Sequence, residues 1–162
     1  MSAIDDVVQA NARYAHGFRG PKTGEPGRRL AVLTCMDARL DPLAAFGLHL
    51  GDAHILRNAG GLPTDDALRS LAISQRALNT TEIAVVHHTR CGMADFDDDR
   101  FRADLAQESG ETPSWRVPGF SDVEADTRRS VEVLRNCPWL PHRNAVRGFV
   151  YDVDAGTLTE VE

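Results

Sequence analysis

Leu30-Ala31-Val32-Leu33-Thr34-Cys35-Met36-Asp37-Ala38-Arg39 begins as an unbroken apolar run and ends in a thiol, a carboxylate and a guanidinium. A strand with one wet face would alternate apolar and polar residues. A continuous run fits a parallel strand buried on both faces. The reactive side chains therefore fall just past the strand's carboxyl end, where open α/β sheets place their ligands.

The pattern recurs on either side. Ala53-His54-Ile55-Leu56-Arg57 reads as a second strand and runs into Asn58-Ala59-Gly60-Gly61, whose glycines permit close backbone approach. Glu82-Ile83-Ala84-Val85-Val86-His87-His88 reads as a third strand and leads to Thr89-Arg90-Cys91-Gly92. A helix lies between them: Thr64 is its N-cap, Asp65 and Asp66 suit its first turn, and Leu68, Leu71, Ala72 and Leu78 follow at helical spacing. Further helices are expected over residues 2–18 (ending near Gly17), 98–108 and 122–136, with Gly- and Pro-rich loops over 20–27 and between the last two. Residues 145–153 read as a late strand, 154–156 as a turn and 157–161 as a short terminal strand. Strands alternating with helices imply one α/β domain over residues 1–162, with a mainly parallel sheet flanked by helices.

The composition of the 162 residues is that of a globular chain, 42% hydrophobic and 26% charged. With 18 basic against 24 acidic residues the net charge is −6, and no basic run provides a nucleic-acid footprint. No apolar stretch approaches the roughly 20 residues that span a bilayer. The acidic start Met1-Ser2-Ala3-Ile4-Asp5-Asp6 lacks an apolar signal segment, so a cytoplasmic protein is expected. In a reducing compartment the three cysteines are thiols rather than a disulfide framework.

Singly, these thiols carry little information. A Cys at a strand end is commonly a small buried hydrophobe, and one His-x-x-Cys arises readily by chance. Together, on the ends of strands in one sheet, Cys35, His88 and Cys91 form a set of two soft ligands and one borderline ligand that suits zinc. Three protein ligands leave a fourth tetrahedral position open, as catalytic sites do. His87, next to a ligand on a strand, points to the opposite face and is read as structural. His16, His49, His54 and His142 are read as surface or packing residues and Cys137 as a buried thiol. The acidic run Asp95-Phe96-Asp97-Asp98-Asp99 is read as a solvated helix start.

Cys35-x-Asp37-x-Arg39 followed by His88-x-x-Cys91-Gly92, with Arg57-Asn58-Ala59-Gly60-Gly61 between, resembles the signature of the β-class carbonic anhydrases, in its compact bacterial form. Arg90 stands where an acid or another polar residue is common, and His87 where many members have Gly. The resemblance implies one Zn²⁺ per chain on Cys35, His88 and Cys91, with Asp37 and Arg39 as a catalytic dyad beside it. It implies reversible hydration of carbon dioxide to bicarbonate by attack of zinc-activated hydroxide. Such a substrate calls for a small apolar pocket, for which Ala59, Leu62 and Met93 are the candidates, with the Gly92 N–H holding a substrate oxygen. It further implies a homodimer or higher homo-oligomer, with no nucleic-acid or membrane partner. Two rivals stand beside this reading. One is a carbonyl sulfide or carbon disulfide hydrolase on the same fold. The other is a non-catalytic zinc module, closed by Asp37 as a fourth ligand.

Overall fold

In the computed structural model, which describes residues 2–162, the apolar runs become β1 (Leu30–Cys35), β2 (Ala53–Asn58) and β3 (Glu82–His88). With β4 (Val146–Tyr151) and β5 (Leu158–Val161) they form one sheet of order β2-β1-β3-β4-β5. All pairs are parallel except β4 with β5. Every β1 residue from Ala31 to Cys35 is buried, as the continuous run predicts. Alternate positions on β1 and β3 face opposite ways. Ala31, Leu33, Ile83 and Val85 pack with Leu71 of α3 (Asp65–Ala77) and with Val131 and Leu134 of α5 (Val123–Arg135). Val32 and Val86 face the other way, toward Leu48 and Phe46, which follow the short α2 (Pro42–Ala45). Helix α5 lies close against β4 because Gly148 has no side chain: a Cβ there would sit 2.8 Å from atoms of both Thr127 and Val131.

The helix ends follow their capping chemistry. Thr64 caps α3 by accepting from the Ala67 N–H, and Asp122 caps α5 by accepting from the N–H groups of Glu124 and Ala125. Asp97 caps α4 (Asp98–Ser109). The acidic run opens this helix with Asp95, Asp97 and Asp99 exposed, as its composition suggests, and only Asp98 is drawn inward. Asp98 accepts from the Val117 N–H at 2.9 Å and pairs with Arg116, so it pins the loop that follows α4. The first helix, α1 (Ala3–Ala15), stops short of residue 18, with His16 in extended conformation. The late strand is shorter than its apolar pattern, because residues 143–145 form a 3-10 turn and the Asp152 carboxylate collects the N–H groups of Asp154 and Ala155 into the next one. Helix α2 is four residues long, too short for periodicity to reveal. Among the described residues no helix is long and apolar enough to cross a membrane.

The turn after β2 fixes the approach to β1. Gly60 and Gly61 both have positive φ, 82° and 69°. A Cβ on Gly61 would lie 2.9 Å from the Thr34 carbonyl carbon and 3.0 Å from the Cys35 nitrogen, both backbone atoms that cannot step aside. Gly61→Ala is therefore expected to destabilise the protein by about 2 kcal/mol or more, combining a left-handed backbone penalty with a backbone clash. Chemical denaturation measures it, and an unchanged midpoint would contradict this packing.

Candidate metal centre

The carboxyl ends of β1 and β3 bring three donor side chains together. Cys35 closes β1, His88 closes β3, and Cys91 lies in the turn after β3. All three are buried, and the two sulfurs and a His88 ring nitrogen lie within 4.8 Å of one another. The sulfur atoms are 3.9 Å apart. Two thiolates on one tetrahedral ion, each bonded at about 2.3 Å, would lie about 3.8 Å apart. The imidazole is set for the same purpose. Its Nδ1 donates to the Thr89 carbonyl at 2.9 Å, and a carbonyl can only accept, so the proton is on Nδ1. The Nε2 lone pair is thereby free; that atom is buried without a hydrogen-bond partner. A buried unpartnered acceptor beside two thiols calls for a further partner, and the donor set fits a zinc-type ion.

The thiols ionise as a pair. The hydrogen bond from Cys91 holds the Cys35 thiol far below the usual range; burial opposes this, and His88 and the N–H groups of Asp37 and Gly60 assist it. Cys91, left with the shared proton, is pushed up by Cys35 and by burial. For His88 burial acts to lower the pKa, yet the Cys35 sulfur, the Thr89 carbonyl and Asp37 outweigh it and the net direction is up.

Asp37 lies beside this cluster, with Oδ2 3.8 Å from His88 Nε2. Arg39 holds it there. Nε donates to Oδ1 at 2.9 Å, Nη2 to Oδ2 at 2.6 Å, and the Arg39 backbone N–H adds a third bond at 2.9 Å. Arg39 is itself positioned by the Arg90 carbonyl, which accepts from Nη2 at 2.9 Å; Arg90 adopts φ 52° to present it. The Asp37 carboxylate is thus engaged by arginine rather than turned onto the donor set.

The remaining sequence candidates take definite places. Met93 packs against Cys35, Cys91 and Phe120. Leu62 and Met93 flank Gly60, both within 3.3 Å of where its Cβ would be. Ala59 heads the same turn, which Asn58 closes with paired bonds to the Leu62 backbone at 2.7 and 2.8 Å. Leu62 also lines a cavity of about 530 Å³ with Trp115, Asp126 and Arg129. The space at Gly92 is open. Cys137 is buried in the core. His54 bridges Ser74 and the Gly24 carbonyl, a packing role. His87 is buried on the opposite face from His88, as its position on the strand requires.

Four residues near the site escaped the sequence reading. Arg57, read only as part of a strand end, donates to the carbonyls of Cys35 and Asp37 at 2.9 and 2.6 Å and so shapes the turn that carries both. Phe120 covers the thiols from a loop that had no signal. Asp126 and Arg129 sit on a helix for which no side chain was singled out in the sequence, and the Asp126 side chain is buried against His87.

Asp37 also predicts a pH effect on the metal-free protein. The side-chain hydrogen bonds of Arg39, then its backbone N–H, hold the Asp37 carboxyl well below the usual carboxylate range. A group with a depressed folded-state pKa stabilises the fold above its unfolded value of about 4 and loses that contribution as pH falls. Asp37→Asn should therefore lower stability near neutral pH and narrow its gap to the native protein below pH 4. Urea midpoints across that range check it, and a gap independent of pH would count against the pair.

Residues 30–115 match the carbonic anhydrase family model. Beta-carbonic anhydrase 1 of Mycobacterium tuberculosis is 44% identical over 161 residues, covering 99% of both chains. A carbon disulfide hydrolase of Acidithiobacillus thiooxidans is 36% identical over 81% of this chain and 76% of its own. The solved carbonic anhydrase of Streptococcus mutans superposes with a TM-score of 0.91 at 41% identity, covering 100% of this chain and 99% of the other.

Proposed function

The chain belongs to the β-carbonic anhydrase family, and on that premise we propose that Cys35, His88 and Cys91 hold one zinc ion per chain and that the protein hydrates carbon dioxide reversibly to bicarbonate. The observation that carries the reading is the buried donor triad beside an arginine-held carboxylate. When bound, zinc lowers the pKa of a coordinated water toward neutrality.

The protein's own residues do the rest. His88, fixed by Thr89, keeps Nε2 deprotonated and aimed at the donor set. Cys35 and Cys91 supply two negative charges, a donation that makes the ion a weaker acid than three imidazoles would. Asp37 compensates. Ionised and turned by Arg39, it accepts the O–H of the attacking oxygen and aims that atom's lone pair at the substrate carbon. Apolar contact from Ala59, Leu62 and Met93 suits a small neutral substrate, and the Gly92 N–H offers a hydrogen bond to one of its oxygens. The product is anionic and leaves toward solvent, past Arg39 and Arg90, both exposed.

The reading of Asp37 as a permanent fourth ligand has less support, since three hydrogen bonds from Arg39 occupy the carboxylate. A second substrate class rests on the carbon disulfide hydrolase relative, because carbon disulfide and carbonyl sulfide also present an electrophilic carbon.

A homodimer fits the first helix. No residue of α1 is buried, and Ile4, Val7 and Val8 expose apolar side chains that a second copy would cover. A cytoplasmic location fits the three free thiols.

Cys35→Ser, His88→Ala and Cys91→Ser should each lose most of the zinc, and hydration should fall by at least 100-fold with it. Metal analysis beside a stopped-flow CO₂ assay reads both; full zinc in all three variants would refute the ligand set. Parallel assays on carbonyl sulfide and carbon disulfide decide the substrate, with carbon dioxide expected to be turned over fastest. In sedimentation velocity the native protein should run as a dimer or larger, and Val7→Glu with Val8→Glu should shift it toward monomer.

A further inference from the structure

Arg90 holds a left-handed backbone, φ 52°, in the turn between His88 and Cys91. A side chain disfavours that conformation, which persists where neighbouring contacts over-determine it. Both peptide planes that meet at the Arg90 α-carbon are in use. The Thr89 carbonyl, on the plane before, accepts from His88 Nδ1 at 2.9 Å. The Arg90 carbonyl, on the plane after, accepts from Arg39 Nη2 at 2.9 Å. Relaxing Arg90 to a right-handed conformation would rotate one carbonyl or both away from these partners.

The neighbouring strand supplies what holds it. β4 pairs in parallel with β3, with Tyr151 beside His88, so the turn after β4 runs beside the turn after β3. Three hydrogen bonds join the two turns. The Thr89 N–H donates to the Tyr151 carbonyl at 3.0 Å, the Val153 N–H to the Thr89 hydroxyl at 3.1 Å, and Arg90 Nη2 to Asp154 Oδ1 at 2.5 Å. Of the three, only the last engages the left-handed residue itself. Asp154 is fixed in its turn. The Asp152 carboxylate accepts its N–H at 2.8 Å and that of Ala155 at 3.0 Å, and the Gly156 N–H donates to the Asp152 carbonyl at 2.8 Å.

We propose that Asp154 is a positioning residue for the site: by holding the Arg90 side chain it keeps Arg90 left-handed, and so keeps the Thr89 carbonyl on His88 and the Arg90 carbonyl on Arg39. This role rests on the reading of Asp37 and Arg39 as the dyad that serves the reaction. Asp154 acts through Arg90, and its carboxylate takes no part in the chemistry. The side chains of Arg90 and Asp154 are 63% and 59% exposed, so solvent screens the pair, which tunes the dyad rather than supporting the fold.

The test uses the full-length, zinc-loaded protein. Hydrogen exchange of the Arg39 Nε–H, followed by NMR and assigned with Arg39→Lys, reads how firmly that group stays on Asp37. Stopped-flow kinetics reads kcat and KM for carbon dioxide beside it. Asp154→Ala should speed the exchange and lower kcat by about threefold each, the scale of an exposed ion pair. KM should stay unchanged, because the dyad serves the attacking oxygen. Asp154→Glu keeps the carboxylate and should restore both readings. Arg90→Ala should do at least as much harm as Asp154→Ala, whereas Arg90→Gly, free to stay left-handed, should lie nearer to native. Arg147→Gln removes another exposed pair, with Glu160 between β4 and β5, and should change neither reading. The role of Asp154 is overturned if Asp154→Ala matches native protein in exchange and kcat, if Arg147→Gln has as large an effect, or if Arg90→Gly falls as far as Arg90→Ala. A native protein whose Arg39 Nε–H is protected but which hydrates no carbon dioxide overturns the proposed reaction first, and this role falls with it.

Discussion

Three donor atoms must meet within a few ångströms, and the parallel pairing of β1 with β3 is the constraint that lets them. Neighbouring strands in a sheet lie about 4.8 Å apart. The register places Thr34 beside Val86, so Cys35 and His88 leave the sheet almost side by side. Cys91 then needs only a three-residue return. Such convergence calls for both strands to be buried on both faces, because a slip by one residue would turn His88 into the core and His87 toward the donors. The apolar residues that alternate onto both faces of β3 hold the register against that slip.

Around this junction the backbone is shaped by side chains that bond to carbonyls and amides rather than to one another. Arg57 gathers the carbonyls of Cys35 and Asp37, Asn58 closes the turn to Leu62, Thr89 orients His88, and the Arg90 carbonyl orients Arg39. Each interaction is modest, roughly 1 kcal/mol net. Their joint effect is geometric. They leave one nitrogen lone pair, two sulfurs and one carboxylate facing a common point, with their other bonding capacity already committed. Preorganisation of this kind spares the reaction the reorganisation it would otherwise require.

How much of this was legible in the sequence depends on the range of the interaction. Strands β1, β2 and β3 were readable because a buried strand writes its environment into consecutive residues; β3 spans the same residues as its apolar run. Thr64, Asp65 and Asp66 announced α3 because capping is local. The donors were readable as a pattern, since metal chemistry restricts residue type and spacing together. Long-range polar contacts left no such trace. Asp126 is one acid among several polar residues on an amphipathic helix, and only folding shows that it meets His87 on the face of the sheet that α5 covers. Arg57 looked like a strand residue because its role depends on a backbone 20 residues away. The acidic run that opens α4 was readable as a solvated helix start, but nothing local reveals that its Asp98 anchors Val117.

The central claim is that two cysteines and one histidine of this chain share a single metal ion with an open fourth position. X-ray absorption at the zinc edge of the native protein tests that claim most directly. The account predicts two sulfur neighbours at about 2.3 Å and two lighter neighbours at about 2.0–2.1 Å, one of them imidazole, with the non-imidazole light atom replaced when a halide such as bromide is added. A shell without sulfur, a shell with three or four sulfurs, or one that halide leaves unchanged would contradict it.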